Sequence, residues 1–411
     1  MKKFIVLVVL AAMITSLTAC STTDSSSTSE KSSPDKQAQV EIRVMWWGDQ
    51  KRADITNQML QLFQQKYPNV KVTAEFSPFS GYFDKLNTQL ASGTAPDVFT
   101  LGSNILDYAL KGVLLDLNPY VGKELNVSDI SPSLTAFNTF NGKLNGISVG
   151  ANSRAILINT ETFKKAGVPI PSNDWTWDDF AKVNDTIAKN LGKGYYGTYD
   201  DSGKYDTLEN YFKQRDKVIY DNQNKKLGFT PDDLVKWFAI WDQMRKAGGV
   251  VTPELEISAA PDDTSKTLVV TGKVAMEFIP TNQFAAFQSM TKDKLAMLPV
   301  PKGPNGNAID VESSQNIVGY AKTQHPKEVS ELMDFWVNDP GAAKILGNDR
   351  GVPVSSKMRA VLKKDASEAD KQVYDYLDLV SGNKVKPTYN IPGFNEFSQL
   401  LTSTSQNIAF G

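Results

Sequence analysis

The sequence predicts an α/β protein with a body of two domains, and three observations carry the prediction. From Val40 to Leu101, short alternating apolar runs take turns with runs at helical spacing. That pattern implies a mostly parallel sheet with helices on both faces. Gly146 to about Asn159 reads as one long extended segment, after which the pattern turns mainly helical. The 411 residues are too many for a typical single core.

Taken in order, Ile42, Val44 and Trp46 alternate with polar neighbours, as in a half-buried strand. Ile55, Met59, Leu62 and Phe63 follow at helical spacing, and Tyr67-Pro68-Asn69 ends that helix. Val70, Val72, Ala74 and Phe76 give a second strand. Phe83, Leu86 and Leu90 give a helix stopped by Gly93, and Asp97 to Leu101 a third strand. Thr176-Trp177-Asp178-Asp179 predicts a helix start, with Thr176 as cap and Asp179 reaching back. Thr230-Pro231-Asp232-Asp233 predicts another, with proline at the first helical position. The stripe Leu234, Trp237, Phe238 and Trp241 suits the core face of that helix better than a ligand platform. Strands return at Lys273–Ile279, Leu295–Val300 and Ile317–Ala321, and Val329, Leu332, Met333 and Trp336 form a late amphipathic helix.

The amino terminus is an export signal. Met1-Lys2-Lys3 precedes an apolar run from Phe4 to about Ile14, then Leu17-Thr18-Ala19-Cys20. The run is shorter than the roughly 20 residues that a membrane-spanning helix needs. Leu-Thr-Ala-Cys resembles the bacterial lipobox, in which a diacylglycerol joins the cysteine sulfur and cleavage falls just before it. Cys20 is the only cysteine in the chain. The expectation is a leader over residues 1–19, a lipid on Cys20, and a polar, flexible tether over 20–39.

Composition excludes several chemistries. A single cysteine forbids an intrachain disulfide, and a single histidine, His325 in a turn before a helix, forbids multi-histidine metal sites and Ser-His-Asp triads. The formal charge is −2, with no basic stripe of the kind that nucleic acid requires. Asp200-Asp201-Ser202-Gly203 lacks the full calcium-loop pattern and reads as a polar surface loop. Neither a metal nor a cofactor is expected.

Several segments together resemble the family 1 extracellular solute-binding proteins, the carbohydrate-binding lipoproteins of ABC importers. The opening is Trp46-Trp47-Gly48 with Arg52, then Phe63 and Tyr67-Pro68-Asn69-Val70. Tyr82, Lys85-Leu86, Ala91-Ser92-Gly93 and Ala95-Pro96-Asp97-Val98 continue it. So do Phe163 to Gly167, Trp175 to Asp179, Gly272 to Met276, and Arg350-Gly351-Val352-Pro353. The opening and the Arg350 stretch are most similar to a branch that binds pectin-derived (rhamnogalacturonan) oligosaccharides. The resemblance implies a two-lobed, periplasmic-binding-protein-like (Venus flytrap) fold, with a hinge of crossing strands and a monomeric state. On that plan lobe 1 comprises residues 40–148 and 282–335, and lobe 2 comprises 149–281 and 336–411. The crossings fall after Gly146, on the strand after Lys273, and near 330–350. Family members end in an amphipathic helix with charged residues, whereas this chain reads Ala409-Phe410-Gly411. The final helix is therefore expected to be missing or truncated.

The implied function is capture of an oligosaccharide between the lobes and its delivery to the permease subunits of an importer. Sugars present apolar C–H faces to aromatic rings and hydroxyls to paired polar groups. In parallel sheets such groups gather beyond the carboxyl ends of strands. The candidates are Trp46, Trp47 and Arg52 after the first strand, Ser103 and Asn104 after the third, Asn152 on the first crossing, and Asn282 and Gln283 after the strand near Lys273. Tyr82 and Tyr211 are candidate platforms, and Arg350 a candidate partner for an acidic sugar. Each has a packing reading beside it. Trp46 alternates with Ile42 and Val44, Arg52 has local salt-bridge partners available, and Arg350 is placed to brace its turn.

Two other functions fit less well. A glycosidase or lyase needs two carboxylates about 5–10 Å apart. The Asp-Asp pairs at 178–179, 232–233 and 262–263 are, however, explained as helix starts. The same fold binding a polyol phosphate would want a Gly-rich turn or an Arg/Lys cluster, and the arginines here are scattered.

Overall fold

The structure is a computed structural model describing residues 39–221, 224–258, 267–309, 311–383 and 393–411. The leader, Cys20 and Asp262-Asp263 lie outside the described residues.

β1 (Val40–Trp47) leads into α1 (Gln50–Lys66), where the Asp49 carboxylate accepts the Arg52 N–H. β2 (Val70–Ser77), α2 (Phe79–Ser92) and β3 (Val98–Leu101) follow. α2 stops at Gly93, whose φ of 73° is the left-handed turn that glycine adopts freely. Short helices α3 (Ile105–Leu110) and α4 (Pro132–Phe137), and a hairpin of β4 (Thr139–Phe140) and β5 (Lys143–Leu144), lead to β6 (Ile147–Asn159). Next come α5 (Thr160–Ala166), α6 (Trp177–Leu191), β7 (Tyr196–Thr198) and α7 (Tyr205–Lys213). The β8 (Tyr220–Asp221) and β9 (Lys226–Leu227) hairpin precedes α8 (Pro231–Lys246) and α9 (Pro253–Ser258). β10 (Val274–Pro280), α10 (Phe284–Ser289), β11 (Leu295–Leu298) and β12 (Val311–Gly319) are followed by five helices. These are α11 (Pro326–Asn338), α12 (Pro340–Leu346), α13 (Ser356–Leu362), α14 (Glu368–Val380) and α15 (Phe394–Phe410).

Both expected capping boxes are present: the Thr176 and Thr230 side chains cap α6 and α8 while Asp179 and Asp233 return the bond. Trp237 and Trp241 are fully buried and pack against Trp177 and Phe180, so the α8 stripe is core.

The main sheet runs β2-β1-β3-β12-β6-β10-β7, with β11 also on β6. β1, β2 and β3 are mutually parallel, and so are β7 and β10. Every partner of β6 is antiparallel to it. The sheet is therefore mixed, which corrects the expectation of a mostly parallel one. The reason is that β6 carries the chain from one half of the sheet to the other and β12 brings it back. Residues Ile147–Ser153 pair with β12, while Arg154–Asn159 pair with β10 and β11.

This corrects two crossings and a boundary. β10 stays within the second half, pairing with β7 and the far end of β6, so the return passage is β12. Residues 282–298, expected in lobe 1, hold β11 on the second half of β6. α12, expected in lobe 2, packs on α1, where Lys66 meets Asp339 at 3.1 Å. The third passage lies later than 330–350: Ala151 and Val352 exchange backbone hydrogen bonds of 2.7 and 3.0 Å.

A final helix is present. α15 spans 17 residues and buries Leu401 and Ser405. The Thr402 hydroxyl donates to the Gly203 carbonyl at 3.1 Å, and the Ser202 and Ser405 hydroxyls meet at 2.6 Å. Among the described residues no helix is long and apolar enough to cross a membrane.

Candidate functional site

β7 and β10 are parallel neighbours, so their carboxyl ends emerge side by side. Tyr199 and the turn Asp201–Gly203 follow β7, and Thr281–Gln283 follow β10. Between them opens a cavity of about 300 Å³. Tyr199, Phe278 and Phe287 supply its aromatic surface; Thr207, Asn210, Thr267 and Gln283 supply neutral polar groups. The charged lining is Arg154, Lys204, Asp201, Asp206, Glu256 and Glu277. An aromatic wall with convergent polar groups is what a polyhydroxylated ligand requires.

Electrostatically the wall is acidic and poorly hydrated. Burial, reinforced by Asp201, pushes the Glu277 carboxyl up to about 8, with Lys204 opposing. Burial and the charges of Asp200 and Asp201 push Glu256 up to about 7. Burial pushes Asp201 up to about 6, against the pull of Lys204 and a 2.8 Å hydrogen bond from the Thr207 hydroxyl. The Glu277 Oε2 and Thr267 Oγ1 atoms are buried and have no hydrogen-bond partner. Such atoms cost free energy until a donor or acceptor reaches them. Arg154 meets Asp206 at 2.6 Å and Glu312 at 3.7 Å, while its Nε is also buried without a hydrogen-bond partner. Asp200 pairs with Arg245 and accepts the Ser202 N–H, and Asp200, Ser202 and Gly203 are buried, so this run is a packed turn and not the surface loop expected.

Beside the cavity the three passages between the halves pack tightly. A Cβ on Gly150 would lie 1.9 Å from the Arg350 carbonyl oxygen, so only glycine fits where β6 meets the third passage. The Ser314 hydroxyl of β12 donates to that same carbonyl. Gly351 adopts φ +107°, a conformation open to glycine and strained for other residues.

The candidate residues divide into three groups. Trp46, Tyr82, Tyr211 and Arg350 are buried and engaged in packing or structural hydrogen bonds. Trp46 is fully enclosed beside Phe76. Tyr82 is also enclosed; its hydroxyl donates to the Thr100 carbonyl at 2.8 Å and accepts the Thr100 N–H at 3.0 Å. Tyr211 packs against Trp177 and Trp237 beneath the Arg215 guanidinium. Arg350 donates to Thr56 Oγ1 at 2.7 Å and lies over Trp336, and burial pulls it down to about 10.

Arg52 and Asn104 serve local structure. Arg52 donates to the Asp349 carboxylate at 2.9 Å and to its carbonyl at 2.8 Å, tying α1 to the third passage. Asn104 accepts the Gly102 N–H at 3.1 Å. The others remain accessible or unsatisfied. Trp47 is half-buried against Phe79, Tyr82 and Phe83. Ser103 and Asn282 are exposed, the Asn152 Oδ1 is buried without a partner, and Gln283 lines the cavity. Sequence reasoning missed Arg154, Tyr199, Lys204, Glu256, Glu277 and the exposed Phe79. Arg154 and Glu277 sit on strands the sequence did reveal, but only pairing shows which side chains converge.

A family model for bacterial extracellular solute-binding proteins matches residues 48–343. A family 1 extracellular solute-binding protein from Alicyclobacillus acidocaldarius superposes with a TM-score of 0.84 at 28% identity, covering 92% of this chain and 95% of that one. A periplasmic oligogalacturonide binding protein from Yersinia enterocolitica gives a TM-score of 0.77 at 25% identity, covering 90% and 94%. The galactooligosaccharide-binding protein of Bacillus subtilis is 22% identical, covering 100% of this chain and 93% of its own. Its two-halved sheet, its three crossing passages and this match over most of its length place the chain among the bacterial extracellular solute-binding proteins.

Proposed function

We propose that this protein is tethered outside the cell by a lipid on Cys20, captures an oligosaccharide between its two lobes, and delivers it to the permease of an ABC importer. The cavity at the carboxyl ends of β7 and β10 carries the sugar assignment, because it combines aromatic surface with unsatisfied polar groups. Phe79, 62% exposed and edge-on to Trp47, offers a stacking surface at the carboxyl ends of β1 and β2. Asn152 and Gln283 are the polar contacts retained from the sequence. Relatives that take galactooligosaccharide or oligogalacturonide point to the same ligand class. Closure follows if the ligand touches both lobes only in the closed form.

The test is thermal unfolding of the mature chain against pectin fragments, xylo-, malto- and galacto-oligosaccharides, and glycerol phosphates. A ligand at 100 times its Kd stabilises by about 2.7 kcal/mol, which moves Tm visibly. A dose-dependent rise with one sugar class supports the proposal. A rise with glycerol phosphate alone replaces the sugar with a polyol phosphate. Glu277 and Asp201 also give an anchored glycosidase a pair of carboxyls in one cavity. Loss of ligand mass on incubation would establish that reading, and an unchanged ligand supports binding without turnover. Release of the protein from membranes by Cys20→Ser tests the anchor.

A further inference from the structure

We infer that the cavity takes a neutral, hydroxyl-donating sugar unit and rejects a uronate at the same position. This rests on the oligosaccharide reading above and chooses between the two ligand types that its relatives bind.

The argument is a count of donors, acceptors and charges. Glu277 on β10 projects into the cavity with one carboxylate oxygen buried and unpaired. Facing it are Tyr199 and Asp201 after β7, Lys204 and Asp206 beside α7, Glu256 of α9 and Arg154 of β6. Among the described residues four carboxyls thus share the lining with two cations. Arg154 pairs with Asp206 and Glu312 while its Nε stays buried without a hydrogen-bond partner, and Lys204 stands among three half-buried acids. Toward pH 8, as Glu277 ionises, a sugar hydroxyl reaching it donates to an oxygen that now has no donor, and a hydrogen bond to a charged acceptor is the stronger kind. Toward pH 8 a uronate instead brings a further negative charge against ionised acids, and among the described residues the lining answers it only with Lys204 and with Arg154, which already pairs with two carboxylates.

The two ligand types also have opposite proton linkage. Glu277 and Glu256 titrate near neutrality when the cavity is empty. Hydroxyl donors favour their ionised forms, so a neutral sugar releases protons on binding and its affinity rises from pH 6 to pH 8. A uronate favours the protonated forms, so its affinity falls over the same range.

The experiment is calorimetric titration of the mature chain with matched pairs: neutral galacto-, gluco- and xylo-oligosaccharides, and oligogalacturonates and oligoglucuronates of the same length. The expected result is one neutral series binding at least tenfold tighter than its uronate counterpart at pH 8, with affinity rising with pH. Glu277→Gln, which preserves size, should weaken that neutral sugar about tenfold and flatten the pH dependence. Glu256→Gln, on a different element, should flatten it in part. Tighter binding of a uronate, or affinity that falls with pH, overturns the inference while leaving oligosaccharide binding intact. If no member of any pair binds, the oligosaccharide reading falls and this inference falls with it.

Discussion

Glu277 shows how one side chain links stability to ligand. Its folded pKa of about 8 lies above the ordinary carboxyl value. The folded state therefore holds more protons than the unfolded state between those two values, and its contribution to stability declines as pH rises through that window. Glu277→Gln should raise Tm at pH 8 by roughly 2–4 °C, with the gap closing toward pH 5. Differential scanning calorimetry across pH reads this directly, and a gap that widens toward acid would reverse the assignment. Tyr82 behaves oppositely, as a structural group. Removing its hydroxyl leaves the enclosed Thr100 N–H without its acceptor. Tyr82→Phe should cost about 1–3 kcal/mol in urea unfolding and leave ligand affinity unchanged.

Among the elements, β6 and the third passage are coupled by close backbone contact. Gly150→Ala inserts a methyl where the Arg350 carbonyl lies. It should cost about 1–3 kcal/mol through overpacking. Because the strain falls where the halves join, ligand affinity should change as well, and an affinity identical to that of the unaltered protein would separate the hinge from the ligand response. α15 offers a second test. Ending the chain before Phe394 removes Thr402 from Gly203 and Ser405 from Ser202, on the turn that forms the cavity rim. Tm should fall by several degrees and affinity should weaken together, as measured by fluorescence melting and titration.

At the scale of the whole molecule, ligand-driven closure predicts a smaller radius of gyration by small-angle scattering when the sugar is added, and no change with a sugar that fails to bind. Local order was legible along the chain. The alternation in β1 and β2, the two capping boxes and the Gly93 stop are set by nearest neighbours, so they read directly from residues a few positions apart. The family was legible because many short motifs fall in the right order. Trp46, Tyr82, Tyr211 and Arg350, expected as ligand contacts, are buried, and local pattern does not foretell this because the same aromatic and guanidinium groups serve cores and sugar sites equally well. Which of Trp46 and Trp47 is enclosed depends on what packs over each face of β1, and no local pattern contains that. The sequence by itself determined strand and helix, since these follow from short-range periodicity and sterics. Only the tertiary structure decided the mixed sheet, the passages that form the hinge, and the acidic cavity. Those depend on contact between residues as distant as Leu157 and Glu277, or Gly150 and Arg350, and on the desolvation that such contact imposes.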